Sequence, residues 1–529
     1  MLNVRNAAVA ALSLSFLAGA FGVSAQAASH RAASGGGSLT IAFSQEPDTL
    51  DPSVTGLTAV AQIDRNIVDT LVWITPTGQY EPDLATSWKI TNGGKTYTFQ
   101  LRKGVTFTDG TPFNAQAVVY NFDRIMNPAT KSISAIGAMG PFQSATATGP
   151  YTVVVQMKSA YAPFLTNLGA PTLGMQSPTA MKKEGANYGL HPVGSGPFMV
   201  QSYTPNSSLV LVRNPNYNWA PPYLKVNGPA KLAKITYDIE LSGQTRVDQL
   251  LSGAAQVVDA APALYYKKLA SSGFTQYPVP IPGAGAYAVI NNSKWPTNQL
   301  AVRQAILYFI NRPGLIDLAD QGVYPVVWGP LQPGTLGYDP AFTGMYAYNP
   351  AKGAQVLEKA GWKKVNGIWT KGGKQLTIAI TNIAGIQDIP DLAVGIQSYL
   401  QKAGMKVTIQ QFNDNAWHAA NVKGIENITP LEFSDTDPDL LRIEFTPGQY
   451  FNWSKYSNPA VTKLLLAAEV NSNPKSRLQE YYKAETILMN DAAMIPEHEN
   501  ADLMLMKSTV KGVIDYFGGD PDYYQATVG

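Results

Sequence analysis

Strand-like alternation and helix-like periodicity take turns along this chain, and a sequence that keeps switching between those two periods folds as layers of sheet and helix. Alternating residues in Leu39-Thr-Ile-Ala-Phe43, Tyr97-Thr-Phe-Gln-Leu101, Thr152-Val-Val-Val-Gln156, Leu209-Val-Leu-Val212 and Leu376-Thr-Ile-Ala-Ile380 predict strands. Helical stretches fall between them at Ala301 to Phe309, Lys352 to Ala360, Ile396 to Ala403 and Pro459 to Glu469. The expected class is α/β or α+β. At 529 residues, with 45% hydrophobic and 14% charged side chains, the chain carries enough apolar material for several domains. It carries too few like charges for a disordered or nucleic-acid-binding chain. A net charge of +2, reduced to +1 by loss of Arg5 with a leader, names no charged partner.

The first 27 residues read as a secretory signal. Arg5 gives a basic start, Ala7 to Val23 an apolar run, and Ala25-Gln-Ala27 a small-x-small cleavage site. A membrane anchor is the other reading of such a run, but this one is short and interrupted by Ser13, Ser15, Gly19 and Gly22. Residues 28–38 are Ser/Gly-rich and read as a flexible lead-in. The absence of cysteine excludes a cysteine-linked lipid anchor, a disulfide and a thiolate site. A periplasmic protein, cleaved after about Ala27, is expected.

The most informative stretch runs from Leu101 to Ile125. Val105-Thr-Phe107 is expected to end a strand, Asp109-Gly110-Thr-Pro112 to form a turn, and Asn114 to cap a helix made amphipathic by Val118, Val119 and Phe122. This block resembles the signature of the family 5 (peptide/nickel/oligopeptide type) extracytoplasmic solute-binding proteins of ATP-binding-cassette importers. Further landmarks follow in that family's order: Thr49-Leu-Asp-Pro52, Pro82-Asp-Leu-Ala-Thr-Ser-Trp88, Gly194-Ser-Gly-Pro-Phe198, Arg213-Asn-Pro-Asn-Tyr217, Val302-Arg-Gln-Ala-Ile306, Ala360-Gly-Trp362, Phe451 to Pro459 and Ile495-Pro496. Two departures are Ala117, where the family often has an acid, and Ser195 in place of its usual Thr.

The resemblance implies a two-lobed periplasmic-binding-protein fold of type II with an extra subdomain and a hinge. One lobe would comprise 39–74, 188–292 and 500–529, with an inserted subdomain at 75–187; the second lobe would be 293–499. Crossings near Gly283–Asn292 and His498–Leu503 would form the hinge. A ligand drives closure of such a clamp only by contacting both lobes, so the site belongs in the cleft between them. The implied function is delivery of a peptide or peptide-like small molecule to the permease subunits of an importer, by a monomer and without a cofactor. A non-peptide solute (opine, oligosaccharide or nickel chelate), or presentation to a membrane sensor, would use the same clamp.

By resemblance, Asp435 in Glu432-Phe-Ser-Asp-Thr-Asp-Pro-Asp439 matches the position where peptide-binding members hold the ligand's α-amino group. Read on its own, Asp435 or Asp437 equally suits a cap on the Pro438 turn. Peptide binders usually have a tryptophan about three residues earlier; here Glu432 stands there, or Phe433 with a one-residue shift. Trp417 resembles a pocket-lining tryptophan, although burial in the second lobe's core is the alternative. Trp453 and Tyr456 belong to the Phe451–Pro459 landmark and are candidates for the ligand or for packing. His418, beside Trp417, is a candidate only toward a metal chelate, since one histidine without a second ligand at suitable spacing does not bind bare metal. No His-Glu-x-x-His, Gly-x-Ser-x-Gly, phosphate-loop or Gly-x-Gly-x-x-Gly pattern occurs, and catalysis is not expected.

Overall fold

The computed structural model describes residues 36–383, 388–516 and 519–529; the expected leader and the lead-in as far as residue 35 lie outside the described residues. Two large sheets organise the chain. The first has seven strands, in the order Phe274–Pro280, Ala501–Lys507, Val257–Val258, Ser38–Phe43, Lys234–Ile239, Ser208–Arg213 and Phe198–Thr204. Its central strand Ser38–Phe43 runs parallel to both neighbours, while the outer pairs are antiparallel. The second sheet has five strands, ordered Lys406–Phe412, Thr377–Ile383, Ile428–Ser434, Gly283–Ile290 and Met494–His498.

Each sheet is buried under its own apolar core. Leu39, Ile41, Leu209, Leu211 and Ile235 belong to the first, and Tyr287, Ile306, Ile378, Ile380 and Leu488 to the second. The alternating segments form strands within three residues of the expected bounds, and the four helices appear as Leu300–Phe309, Pro350–Lys359, Asp388–Lys402 and Pro459–Val470. A four-stranded antiparallel sheet, ordered Ala85–Thr91, Thr96–Leu101, Thr152–Met157 and Phe142–Gly149, packs under the helix Ala115–Met126. Asn114 caps that helix by accepting from the Ala117 N–H at 3.0 Å. The strand before it stops at Leu101 and not at Phe107; Gly104, at φ +78°, turns the chain out of the ladder, leaving only a single bridge from Thr106 to Pro112.

The chain passes between the two large sheets twice, each time in two residues: Ile281 and Pro282, then Glu499 and Asn500. Gly283–Ile290 lies wholly inside the five-stranded sheet, so this passage falls before Gly283 and not across Gly283–Asn292. The passages lie side by side, with the Ile281 N–H donating to the Asn500 carbonyl at 3.0 Å. Gln332, wholly buried, ties them together: its Nε2 donates to the carbonyls of Ile281 (2.7 Å) and Asn500 (3.0 Å), and its Oε1 accepts from the Asn500 N–H (2.7 Å). Gly283 has φ +146°, and a Cβ there would lie 2.3 Å from the Phe433 carbonyl, so only glycine lets the strands approach this closely.

The four-stranded region also meets the five-stranded one directly. The Ala162 N–H donates to the Glu469 carbonyl at 2.7 Å, and Thr166 Oγ1 to Asp437 Oδ2 at 2.8 Å. Asp437 is 1% exposed and is held in bidentate fashion by Arg477, at 2.6 and 2.8 Å.

Replacing Gln332 by Leu keeps the volume but leaves buried backbone groups of both passages unpaired, each costing about 1–3 kcal/mol. Urea denaturation should show a loss of about 2–4 kcal/mol. A loss below about 0.5 kcal/mol would mean that the amide does not clasp the passages.

Candidate functional site

The strand Ile428–Ser434 runs antiparallel to Gly283–Ile290 and, from its C-terminal end in the middle of the second sheet, delivers the Glu432–Asp439 loop beside the first passage. The Asp435 N–H donates to the Pro282 carbonyl at 3.0 Å, which fixes this loop to the passage itself. A cavity of about 620 Å³ opens there, within the size of small-molecule sites. Its walls come from the five-stranded region (Phe433, Asp435, Phe451), the four-stranded region (Ile133, Tyr161, Asn167), the first helix's surroundings (Thr55, Ala61) and the C-terminal stretch (Tyr516, Asp520).

Three carboxylates stand within five residues, and two of them have cations. Asp437 is paired with Arg477, and Asp439 with Arg442 through contacts of 2.6 to 3.1 Å. Asp435 has neither. Its Oδ1 accepts from the Asp437 N–H at 2.9 Å, so it does cap the turn, and the same carboxylate lines the cavity. Burial, reinforced by the charges of Asp437 and Asp439 and opposed by the Asp437 N–H and by Arg477, pushes its pKa up to about 7.

Phe433, not Glu432, faces the cavity, consistent with Phe433 and Asp435 sharing one side of the extended chain. Glu432 accepts from Asn500 Nδ2 at 3.2 Å and so braces the second passage. Trp417 and Trp453 are buried and meet edge to face at 4.9 Å, with His418 5.3 Å from each. None of the three lines the cavity. Trp453 packs against Phe451, and Phe451 against Phe433, so this aromatic layer backs the two rings that do. Tyr456 is turned into the core, its hydroxyl donating to Asp491 at 2.6 Å.

Sequence reasoning missed Tyr161, Tyr516, Asp520 and the role of Phe451. The first three come from segments far apart in the chain and carry no local motif. Phe451 lay in a landmark whose Trp453 and Tyr456 drew attention instead. No three His, Asp or Glu side chains among the described residues are grouped to hold a metal ion, and no described helix is long and apolar enough to cross a membrane.

Curated relatives include the glutathione-binding protein GsiB of Escherichia coli O6:K15:H31, 26% identical over 482 residues and covering 87% of this chain and 88% of GsiB. Among solved structures, NikA from Brucella suis in complex with Fe(III)-EDTA superposes with a TM-score of 0.81 at 22% identity, covering 93% of this chain and 100% of NikA. The binding protein DppA from Helicobacter pylori in complex with peptide STSA superposes with a TM-score of 0.71 at 25% identity, covering 93% of this chain and 98% of DppA. These likenesses place the two sheets and the cleft in the two-lobed periplasmic-binding-protein fold. Residues 79–442 match the family model for bacterial extracellular solute-binding proteins, family 5, and the chain belongs to that family.

Proposed function

We propose that this chain is a periplasmic receptor that holds a peptide or peptide-like amine in the cleft and presents it to the permease subunits of an ATP-binding-cassette importer. The observation that carries this reading is Asp435: a carboxylate lining a cavity of about 620 Å³, with no cation of its own while its two acidic neighbours each have an arginine. A ligand ammonium supplies the missing partner, and a close ion pair offsets the desolvation that otherwise keeps the carboxyl protonated. The names of GsiB and of peptide-bound DppA agree in ligand class.

In this reading the lobes are 39–74, 188–280 and 501–529 on one side and 283–498 on the other, with 75–187 as an insertion in the first. The hinge is the pair of two-residue passages, and rotation about them opens the cleft. The contacts of Ala162 and Thr166 with Glu469 and Asp437 then belong to the closed form. A ligand that touches Phe433 and Asp435 on one wall and Tyr161 or Tyr516 on the other favours closure, since only differential contact shifts the population. The receptor acts as a monomer after removal of residues 1–27, and its work is binding without turnover.

The direct test is mass spectrometry of small molecules released by denaturing freshly purified mature protein. Peptides or other amines are the expected cargo, whereas recovery only of neutral sugars or anions would remove Asp435 as anchor.

Asp435→Ala should weaken amine binding at least tenfold by calorimetry. Asp435→Asn sharpens the point, because the amide oxygen retains the acceptor for the Asp437 N–H and removes only the charge. It too should cost at least tenfold, with the unfolding midpoint of the ligand-free protein at about pH 8 unchanged or higher, since ionising a carboxyl whose folded pKa is raised opposes folding. Unchanged affinity in the Asn variant would leave Asp435 as a turn cap.

A further inference from the structure

Asp435 has a counterpart among the residues that line the cavity. Asp520 follows the C-terminal strand Ile514–Asp515, is 3% exposed and lines the same cavity. No described side chain or backbone N–H makes a hydrogen bond to its carboxylate. Arg65, in whose field it sits, does not line the cavity: its guanidinium stacks 3.6 Å from the Tyr516 ring centre and donates Nη2 to the Gly169 carbonyl at 2.6 Å. Tyr516 is held in turn by its own hydroxyl, which donates to Gly169 and accepts from the Ile74 N–H.

The cavity is therefore lined by one carboxylate from the Glu432–Asp439 loop and one from the C-terminal stretch, and among the described lining residues there is no Lys, Arg or His. Four aromatic rings, Tyr161, Phe433, Phe451 and Tyr516, line the cavity with the two acids and suit alkyl chains and the faces of organic cations. A zwitterionic peptide with its own carboxylate would bring a third negative charge into this enclosure and find no cation to meet it. An amine or guanidine would relieve the repulsion already there.

Resting on the receptor reading above, we propose that the cleft is built for an organic cation that carries no free carboxylate, gripped by Asp435 from one lobe and Asp520 from the other. In the family reading an acid at the Asp435 position takes an α-amino group; Asp520 makes the grip two-sided and sets the charge class of the cargo.

Two further observations agree with it. Burial pushes the Asp520 pKa up to about 7 against the opposing field of Arg65, the same range as Asp435, so in the empty cleft both acids resist ionisation. Asp64, on the helix Thr58–Asp64, is fully buried, has neither oxygen hydrogen-bonded, and lies in the field of Asp520 and Asp51; burial first, then those acids, holds its pKa well above the carboxylate range. The groups that tune the grip are thus Asp437, Asp439 and Arg477 around Asp435, and Arg65 and Asp64 around Asp520. A proton and the ligand cation compete for each of the two carboxylates, so affinity is lost as pH falls through about 7, with a limiting slope approaching two decades per pH unit if both take part and one if only Asp435 does.

The test is calorimetric titration of the full mature protein with alanyl-lysine, alanyl-lysine amide and 1,5-diaminopentane from about pH 8 down to about pH 5.5. The amide and the diamine should bind at least tenfold tighter than the free acid at the upper pH. Asp520→Asn should weaken both cations at least tenfold, bring acid and amide within about threefold of each other, and reduce the pH slope from about two toward one. An acid that binds as tightly as its amide to the unaltered protein overturns the proposal without any variant, as does an Asp520→Asn protein whose amide affinity is unchanged. Failure of all three probes overturns it as well. Cargo released from the protein then separates the two levels, because a zwitterionic or anionic cargo keeps the receptor and discards the two-sided grip, whereas no cargo and no binding removes both.

Discussion

One buried amide holds the geometry of this molecule together. Gln332 reaches the backbone of both passages between the two large sheets, accepting from one and donating to each, so the relation of the two cores is set where the chain has least material. The two large cores are separate apolar clusters. They are joined by two short backbone spans lying side by side, by the amide that pairs with them, by the contacts of Ala162 and Thr166 with Glu469 and Asp437, and by the close approach that Gly283 and Gly285 allow, whose positive φ and lack of a Cβ let the strands close on Phe433 and His498.

The electrostatics of the cleft follow from what the neighbouring loop does with its charges. Asp437 and Asp439 sit in a crowded, nearly dry setting and are tolerated because Arg477 and Arg442 meet them with charge-assisted hydrogen bonds. Asp435, two residues before Asp437 in the same loop, receives one N–H and no cation. The difference between a structural ion pair and a carboxylate left facing the cavity is therefore a matter of which acids the protein neutralises for itself.

Much of the fold was legible in the sequence because several strands have one partly exposed face, which writes alternation into Thr152–Gln156 or Leu209–Val212. Gly283-Ala-Gly-Ala-Tyr-Ala-Val-Ile290 was not, since every residue of this interior strand is buried and no alternation marks it, and the resemblance placed a crossing there. The aspartate-rich loop stood out by composition and by resemblance, and Phe433 and Asp435 do line the cavity. Tryptophan chemistry pointed at Trp417 and Trp453, yet large rings are as well suited to support a wall as to form it, and here they stand behind Phe451. Asp520 and Tyr516 were invisible for a different reason. A short acidic turn near a chain end gains meaning only when the fold carries it across to face residues some eighty positions earlier.

The tether from the Asp435 N–H to the Pro282 carbonyl separates two properties that often change together. The start of the loop is fixed by a main-chain hydrogen bond that any residue except proline can make, while Phe433 faces the cavity through its side chain. Substitutions at 433 can therefore alter what is held without moving how it is held, and a lineage built on this scaffold can exchange cargoes by single steps, each starting from a protein that still folds.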